Sequence, residues 1–278
     1  MTGPKLTANW DSPGRIASAT RWERQSARMG RGVTQAAVDA AGAVPGLRVL
    51  DLACGSGAPS IPLAKLVAPG GWVVGLDLSR EPLKVARGRA AERGLANVSY
   101  VQGNAQALPF PDASFDRVTC RFGAMFFPDP AAAFREAARV LRPGGRVALV
   151  VWGDFQQPYF AHTAQIVMRH TGADVPPPAR LMFRFAEPQA LTSALRQAGF
   201  DDVHTERQTV EWLWPGRPEE VWEYFQEATV PFKPLLDSIR AEQRAAVDRE
   251  IVAALGRYFD GENVNLTAEI VVATGLRT

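Results

Sequence analysis

The sequence predicts a doubly wound α/β fold, a mostly parallel β-sheet with helices on both faces, carrying a helical cap in its second half. Three observations predict it. The stretch at residues 48–53, apolar from Val49 on except for Asp51, and the apolar run at 72–76 have the character of parallel strands covered on both faces. The first belongs to the stretch Val49-Leu50-Asp51-Leu52-Ala53-Cys54-Gly55-Ser56-Gly57, a strand feeding a glycine turn, and the second ends on another carboxylate, Asp77. Apolar runs then keep alternating with helical stretches up to residue 152, as βαβ units do. Ligands of open α/β sheets bind at the carboxyl ends of the strands, which is where Gly55, Gly57 and Asp77 would meet. Glycines there let backbone approach a ligand, and the carboxylate is placed to accept both hydroxyls of a ribose.

The elements follow in order. Residues 1–44 read as a helical lead-in with Trp10 and Trp22 among polar and small residues. A strand at 48–53 turns through the glycines into a helix ending near Pro69-Gly70-Gly71. After Asp77, Ser79 is the expected N-cap of a helix running to residue 93 and closed by Gly94. Strands are expected at 98–102 and 115–120, separated by a loop containing Pro109, Pro111 and Asp112. A helix at 131–141 meets the stop Arg142-Pro143-Gly144-Gly145 before a strand at 146–152. Beyond it, 158–171 reads as a helix that the prolines at 176–178 break, 187–198 as a helix closed by Gly199, and 203–214 as a strand. Residues 218–259 read as helical, with Val247, Ile251, Leu255 and Tyr258 on one stripe, and 266–276 as the last strand. No internal repeat accounts for the extra mass, which is therefore an insertion between the last two strands.

A chain of 278 residues can bury a full core, as one large α/β domain or as a domain with an inserted cap, and the second fits the pattern better. Thirty-one basic side chains stand against 29 acidic ones without like-charge runs, which argues against nucleic acid as a partner. Cys54 and Cys120 lack metal spacing and fall at expected strand ends, so buried free thiols and a reducing compartment are expected, and no metal. Neither a signal-peptide core nor a membrane-spanning apolar run is seen, so the expected location is the cytoplasm.

On these motifs, joined by Gly75-Leu76-Asp77-Leu78-Ser79, Gly103-Asn104-Ala105-Gln106-Ala107-Leu108-Pro109-Phe110, Ser114-Phe115-Asp116-Arg117-Val118 and Arg139-Val140-Leu141-Arg142-Pro143-Gly144-Gly145, the chain resembles the class I S-adenosylmethionine-dependent methyltransferases. Within them it is similar to the group that includes the quinone-biosynthesis C-methyltransferases. The likeness is strong over 44–152 and extends further only in element order. It implies a Rossmann-like seven-stranded sheet with the last strand antiparallel, a lead-in at 1–44 and a cofactor-binding core at 45–152. The rest, 153–278, would hold two more strands of the core and cap insertions at about 156–184 and 216–260. It also implies S-adenosylmethionine as cofactor and S-adenosylhomocysteine as product.

Position by position, the resemblance implies that Asp51, with the backbone around Ala53, Gly55 and Ser56, holds the methionine end, and that Gly57 also belongs to the cofactor-binding set. Asp77 would take the ribose and Leu78 would pack on the adenine. Asn104 would accept from the exocyclic amine, Ala105 N–H would donate to a ring nitrogen, and Arg121 and Phe122 would line the reacting end. Asn104 stands where the family often has Asp, and Pro82 where it often has Met.

The competing readings are weaker. An isolated Gly-x-Gly is most often a bare turn, but Asp51 before it and Asp77 after it favour a ligand. A nicotinamide-dependent oxidoreductase would need a third glycine where Ser60 stands and an apolar residue where Asp51 stands. A binding module without turnover differs only in activity, because methyl transfer needs alignment and dryness more than a dedicated acid or base. Among His162, His170 and His204, only His162 is a candidate base, since it follows the fifth strand. Part of the set Phe126, Phe127, Trp152, Phe155, Tyr159, Phe160, Trp212, Trp214, Trp222, Tyr224 and Phe225 is expected to line an apolar acceptor cavity, and the alternative is ordinary core. Arg121-Phe122-Gly123-Ala124 replaces the polar-Pro-Pro-aromatic motif of amino-directed nucleic-acid enzymes, so a small metabolite is the expected acceptor.

Overall fold

The computed structural model describes residues 12–278, and Trp10 of the lead-in lies outside them. Seven strands, β1 (Arg48–Leu52), β2 (Trp72–Asp77), β3 (Val98–Gln102), β4 (Phe115–Arg121), β5 (Leu141–Trp152), β6 (Phe200–Pro215) and β7 (Asn263–Arg277), form one sheet in the order β3-β2-β1-β4-β5-β7-β6. The pairs β1 to β2, β1 to β4, β2 to β3 and β4 to β5 are parallel, and β7 runs antiparallel to β5. This is the expected Rossmann-like arrangement. The chain winds outward in both directions from β1, so the switch point lies between β1 and β4.

Several elements differ from their expected form for local reasons. Arg142-Pro143-Gly144-Gly145 does not precede a separate strand. Leu141 already pairs with Phe115, and the ladder resumes only at Arg117 and Arg146, so the four residues form an irregularity within β5. Gly144 supplies the left-handed φ of 76° that this kink requires. The expected 158–171 helix is interrupted between Pro158–Ala161 and Ala164–Thr171, where the buried Thr163 turns its hydroxyl to Tyr159 O. Prolines 176–178 open a helix, Pro177–Met182, because proline is tolerated in a first turn whose N–H groups have no intrahelical partner. The 218–259 region divides into Pro218–Ala228, a 3₁₀ turn at Val230–Phe232, Lys233–Asp237 and Ala241–Gly256. Val247, Ile251 and Leu255 are buried along the last of these, and Tyr258 lies past its end.

Two compact units can be distinguished. One comprises Val33–Gly153, Arg184–Gln208 and Ile270–Thr278. Its core joins Val49 and Val73 of adjacent strands to Val38, Leu63 and Val67, while a neighbouring cluster of Cys54, Leu83, Ala86, Ala90 and Tyr100 underlies the turn after β1. Both cysteines are buried free thiols. The other unit comprises Asp154–Phe183, Thr209–Glu269 and the described part of Met1–Gly32. Its core is aromatic: Phe225 lies 5.6 Å from Tyr159, 5.7 Å from Trp222 and 5.4 Å from Phe232, ring centre to ring centre. Tyr159, Phe160, Trp212, Trp222, Phe225 and Phe232 are all buried there. Each such ring contributes about 1.5–3 kcal/mol through burial. No described helix is long and apolar enough to cross a membrane.

Candidate functional site

The carboxyl ends of β1 and β2 are joined through Asp77. Its Oδ2 accepts from Gly55 N–H at 2.8 Å and its Oδ1 from Ser79 N–H at 2.9 Å, so one side chain orients both strand-to-helix turns. Ser79 occupies the expected N-cap position, yet its side chain makes no capping bond. Gly55 has a φ of 52°, and a Cβ there would meet no heavy atom within 4 Å. That is the signature of backbone bordering an open space. Gly57 is tight instead: at φ 100°, its Cβ would lie 3.1 Å from Ile61 Cδ1 and from Tyr100 Oη. Ala53 holds a φ of 53° without being glycine, a costly conformation maintained by its surroundings. Gly123 explains it in part, since a Cβ there would come within 2.4 Å of Ala53 Cβ. The turn after β4 thus packs directly on the turn after β1.

Asp51 is wholly buried. Thr119 Oγ1, its neighbour across the β1 to β4 pairing, donates to Oδ1 at 3.1 Å, and Ser60 Oγ donates to Oδ2. Burial pushes its carboxyl up to about 7, opposed by these two hydroxyl bonds and by the Arg121 charge. The side chain therefore ties β1 to the helix Ser60–Leu66 and to β4, and shapes the glycine turn from beneath.

Leu78, just past β2, is 64% exposed. Past β3, Gly103 N–H donates to Asp77 O, Gln106 N–H to Asn104 Oδ1 at 2.9 Å and Ala107 N–H to Asn104 O at 3.0 Å. Asn104 and Ala105 thus sit on a compact turn whose side-chain amide is already oriented. Past β4, Phe122 adopts a φ of 58°, donates its N–H to Val150 O and stacks on Trp152 with ring centres 4.2 Å apart. The Arg121 guanidinium lies 5.4 Å from the Phe122 ring centre. Ser56 O accepts from Arg89 Nη1 at 3.2 Å. Ala53, Gly55, Ser56, Gly57, Asp77, Leu78, Asn104, Ala105, Arg121 and Phe122 therefore all lie at the carboxyl ends of four adjacent parallel strands.

His162 belongs to the other unit. Its Nε2 lies 3.0 Å from Tyr258 Oη, and burial, with Arg257 nearby, lowers its pKa. His170 and His204 pair with Glu250 and Asp202. Among the described residues no cluster is suited to a metal ion.

The side chains missed in the sequence are the supports. Ser60 and Thr119 hold Asp51, while Gly75 faces the Tyr100 ring, where a Cβ would lie 2.6 Å from Cδ1. Ser60 carried a usable signal: it stands where a dinucleotide-binding turn would have its third glycine.

A switch-point sheet of this order with an antiparallel final strand and an acidic, glycine-bearing first turn defines a class I S-adenosylmethionine-dependent methyltransferase. The profile of the ubiE/COQ5 methyltransferase family matches residues 28–175, and the chain belongs to that family. It is 32% identical over 255 residues to nocamycin O-methyltransferase of Saccharothrix syringae, covering 83% of this chain and 85% of that one. It is also 42% identical over 127 residues to demethylmenaquinone methyltransferase of Anoxybacillus flavithermus, covering 44% and 54%. The fold is shared with Haemonchus contortus phosphoethanolamine N-methyltransferase 2 in complex with S-adenosyl-L-methionine, at TM-score 0.56 and 18% identity, covering 98% of this chain and 59% of that one. S-adenosylmethionine is the cofactor of such enzymes, and the residues present fit it: Gly55 borders open space, and an oriented carboxylate stands one strand away.

Proposed function

We propose that the protein moves the methyl group of S-adenosylmethionine to a carbon, oxygen or nitrogen nucleophile on a small, apolar or aromatic metabolite, with S-adenosylhomocysteine as the other product. The observation that carries this reading is the Asp77 carboxylate held by the N–H groups of Gly55 and Ser79 beside the open space at Gly55. In this reading Asp77 accepts from the ribose hydroxyls, and Leu78 covers one face of the adenine. Asn104 and Ala105 read the adenine edge. Ala53, Gly55, Ser56 and Gly57 give backbone contacts to the methionine end, shaped by Asp51, and Arg121 and Phe122 border the reacting end.

The cofactor, when bound, supplies an electrophilic methyl group on a sulfonium. The chain's residues have to align acceptor, methyl and sulfur and keep water away, which supplies most of the barrier reduction without a strong acid or base. Where the acceptor is a hydroxyl, His162 is our candidate to receive its proton, because burial favours the neutral, proton-accepting form of the imidazole. Acceptor selection is assigned to the segments at about 156–184 and 216–260, the cofactor to 45–152, and the lead-in to 1–44. Trp222 and Phe225 are core and are given no acceptor contact; the half-buried Phe155 and Phe183, with ring centres 5.0 Å apart, are our candidates at the first of these segments. A cytoplasmic location and a metabolite acceptor rather than nucleic acid complete the reading.

The test is an acceptor screen with methyl-labelled S-adenosylmethionine, with oxygen nucleophiles first because one of the relatives aligned over most of both chains is nocamycin O-methyltransferase. Label in a small phenol, enol, quinol or amine, with S-adenosylhomocysteine released in equal amount, is expected. Label transferred only to nucleic acid or protein would overturn the acceptor class.

A further inference from the structure

Within the stretch from residue 105 to 112, Leu108 N–H is held by a side chain of a distant element. It donates to Glu136 Oε2 at 2.7 Å, from the helix Pro130–Val140. One turn further along that helix, Arg139 donates Nε to Glu136 Oε1 at 2.7 Å and Nη2 to Glu136 Oε2 at 2.8 Å. The same guanidinium reaches Leu108 O at 3.1 Å, Phe110 O at 2.8 Å and Asp112 Oδ1 at 2.7 Å. A second tie runs from Asp129 N–H, at the start of the helix, to Gln106 Oε1 at 3.0 Å. Pro109 and Pro111 lack N–H groups, so the loop between them cannot form a ladder of its own. The planar fork of Arg139 substitutes for one, meeting four different acceptor groups at once, which a lysine ammonium on a flexible stem cannot do.

We propose that Glu136 and Arg139 are positioning residues for adenine recognition: they fix the loop from Leu108 to Asp112 on the helix and thereby set the Asn104–Ala107 turn against the β2 end. The turn is anchored on its other side by Gly103 N–H to Asp77 O, so its orientation depends on both ends. Neither Glu136 nor Arg139 is assigned a contact with the cofactor. This rests on the reading of Asn104 and Ala105 as the adenine-reading pair. A support of this kind acts on selectivity as well as affinity, because a loosened turn loses the fixed acceptor that distinguishes an exocyclic amine from a carbonyl.

The experiment measures binding of S-adenosylhomocysteine and of S-inosylhomocysteine, in which the exocyclic amine is a carbonyl and ring N1 carries a proton, so that the partners of both Asn104 and Ala105 are inverted, to the wild type, Arg139→Lys, Glu136→Gln and Asn104→Ala proteins. Circular dichroism and thermal melts establish that each is folded. The wild type is expected to prefer S-adenosylhomocysteine by about tenfold or more, since the analogue sets an acceptor against Asn104 Oδ1 and a donor against Ala105 N–H where hydrogen bonds stood. Arg139→Lys is expected to lower that ratio by about fivefold and Glu136→Gln by less, since glutamine keeps an oxygen for Leu108 N–H. An unchanged ratio in folded Arg139→Lys, with the ratio lost in Asn104→Ala, would overturn the positioning role alone. An unchanged ratio in Asn104→Ala would overturn the adenine assignment beneath it. Should Arg139→Lys fail to fold, Glu136→Gln decides by the same ratio.

Discussion

At Asp51, burial and hydrogen bonding pull in opposite directions. Desolvation raises the carboxyl to about 7 from an ordinary 3.8, and the hydroxyls of Ser60 and Thr119 recover only part of the cost. Between those values the unfolded chain ionises while the folded one keeps its proton, so this residue makes the protein less stable as the pH rises from about 4 to about 7, with a level contribution above that range. Asp51→Asn keeps an acceptor for one hydroxyl and offers N–H to the other. Urea unfolding across this range should therefore show a slope of stability against pH that is more positive by about one proton in the variant, and equal slopes would mean that Asp51 ionises normally.

Asp77 calls for a different expectation, since its neighbours are backbone N–H groups at an open turn. Hydrogen bonds to a charged acceptor contribute about 1.5–3 kcal/mol each, so Asp77→Ala should weaken S-adenosylhomocysteine binding by about a hundredfold or more. Calorimetry with a folded variant checks it, and wild-type affinity would remove the ribose assignment. Both acids were legible because each stands out against an apolar run that leads into a turn, Asp51 within its run and Asp77 at the end. Their partners were less so: Thr119 becomes a neighbour of Asp51 only once β4 is known to lie beside β1, which no local pattern states.

Among the elements, β1 to β4 were legible nearly to the residue: β1 and β2 leave largely apolar runs, and β3 and β4, though they carry Ser99, Asp116 and Arg117, are bracketed by glycines and prolines such as Gly94, Gly103, Pro111 and Gly123. The start of β5 was not, since Pro-Gly-Gly is equally a helix stop and a strand irregularity, and only the pairing of Leu141 with Phe115 decides. The close contacts between elements were also hidden, as a glycine in a strand does not announce what it faces. Gly75 pairs with Tyr100, and a side chain there would collide with that ring and with Cys54 Sγ at 2.8 Å. Gly75→Val should destabilise by about 1–3 kcal/mol or more through overpacking, measured by urea unfolding, whereas an unchanged midpoint would show that Tyr100 can swing aside at no cost.

On the scale of the whole molecule, the seven-stranded, mostly parallel sheet was legible because strand-like and helical stretches alternate along the chain. The aromatic unit was harder, since rings that pack a core and rings that line a cavity have the same composition. Burial separates them: Phe225 is fully enclosed by Tyr159, Trp222 and Phe232. Phe225→Ala should therefore cost about 3–5 kcal/mol of stability and leave S-adenosylhomocysteine affinity unchanged in the folded protein. Lost affinity without lost stability would instead make it a ligand contact.

The most direct test of S-adenosylmethionine use at the β1 and β2 ends is thermal unfolding of the wild type and of Asp77→Ala with S-adenosylmethionine, S-adenosylhomocysteine, NAD or NADP. A ligand at a hundred times its dissociation constant stabilises the native state by about 2.7 kcal/mol, which moves the midpoint visibly. The wild type should shift with both sulfur nucleosides and with neither dinucleotide, and Asp77→Ala should lose the shift at the same concentrations. A shift with NAD or NADP and none with S-adenosylmethionine would contradict the assignment of both cofactor and site.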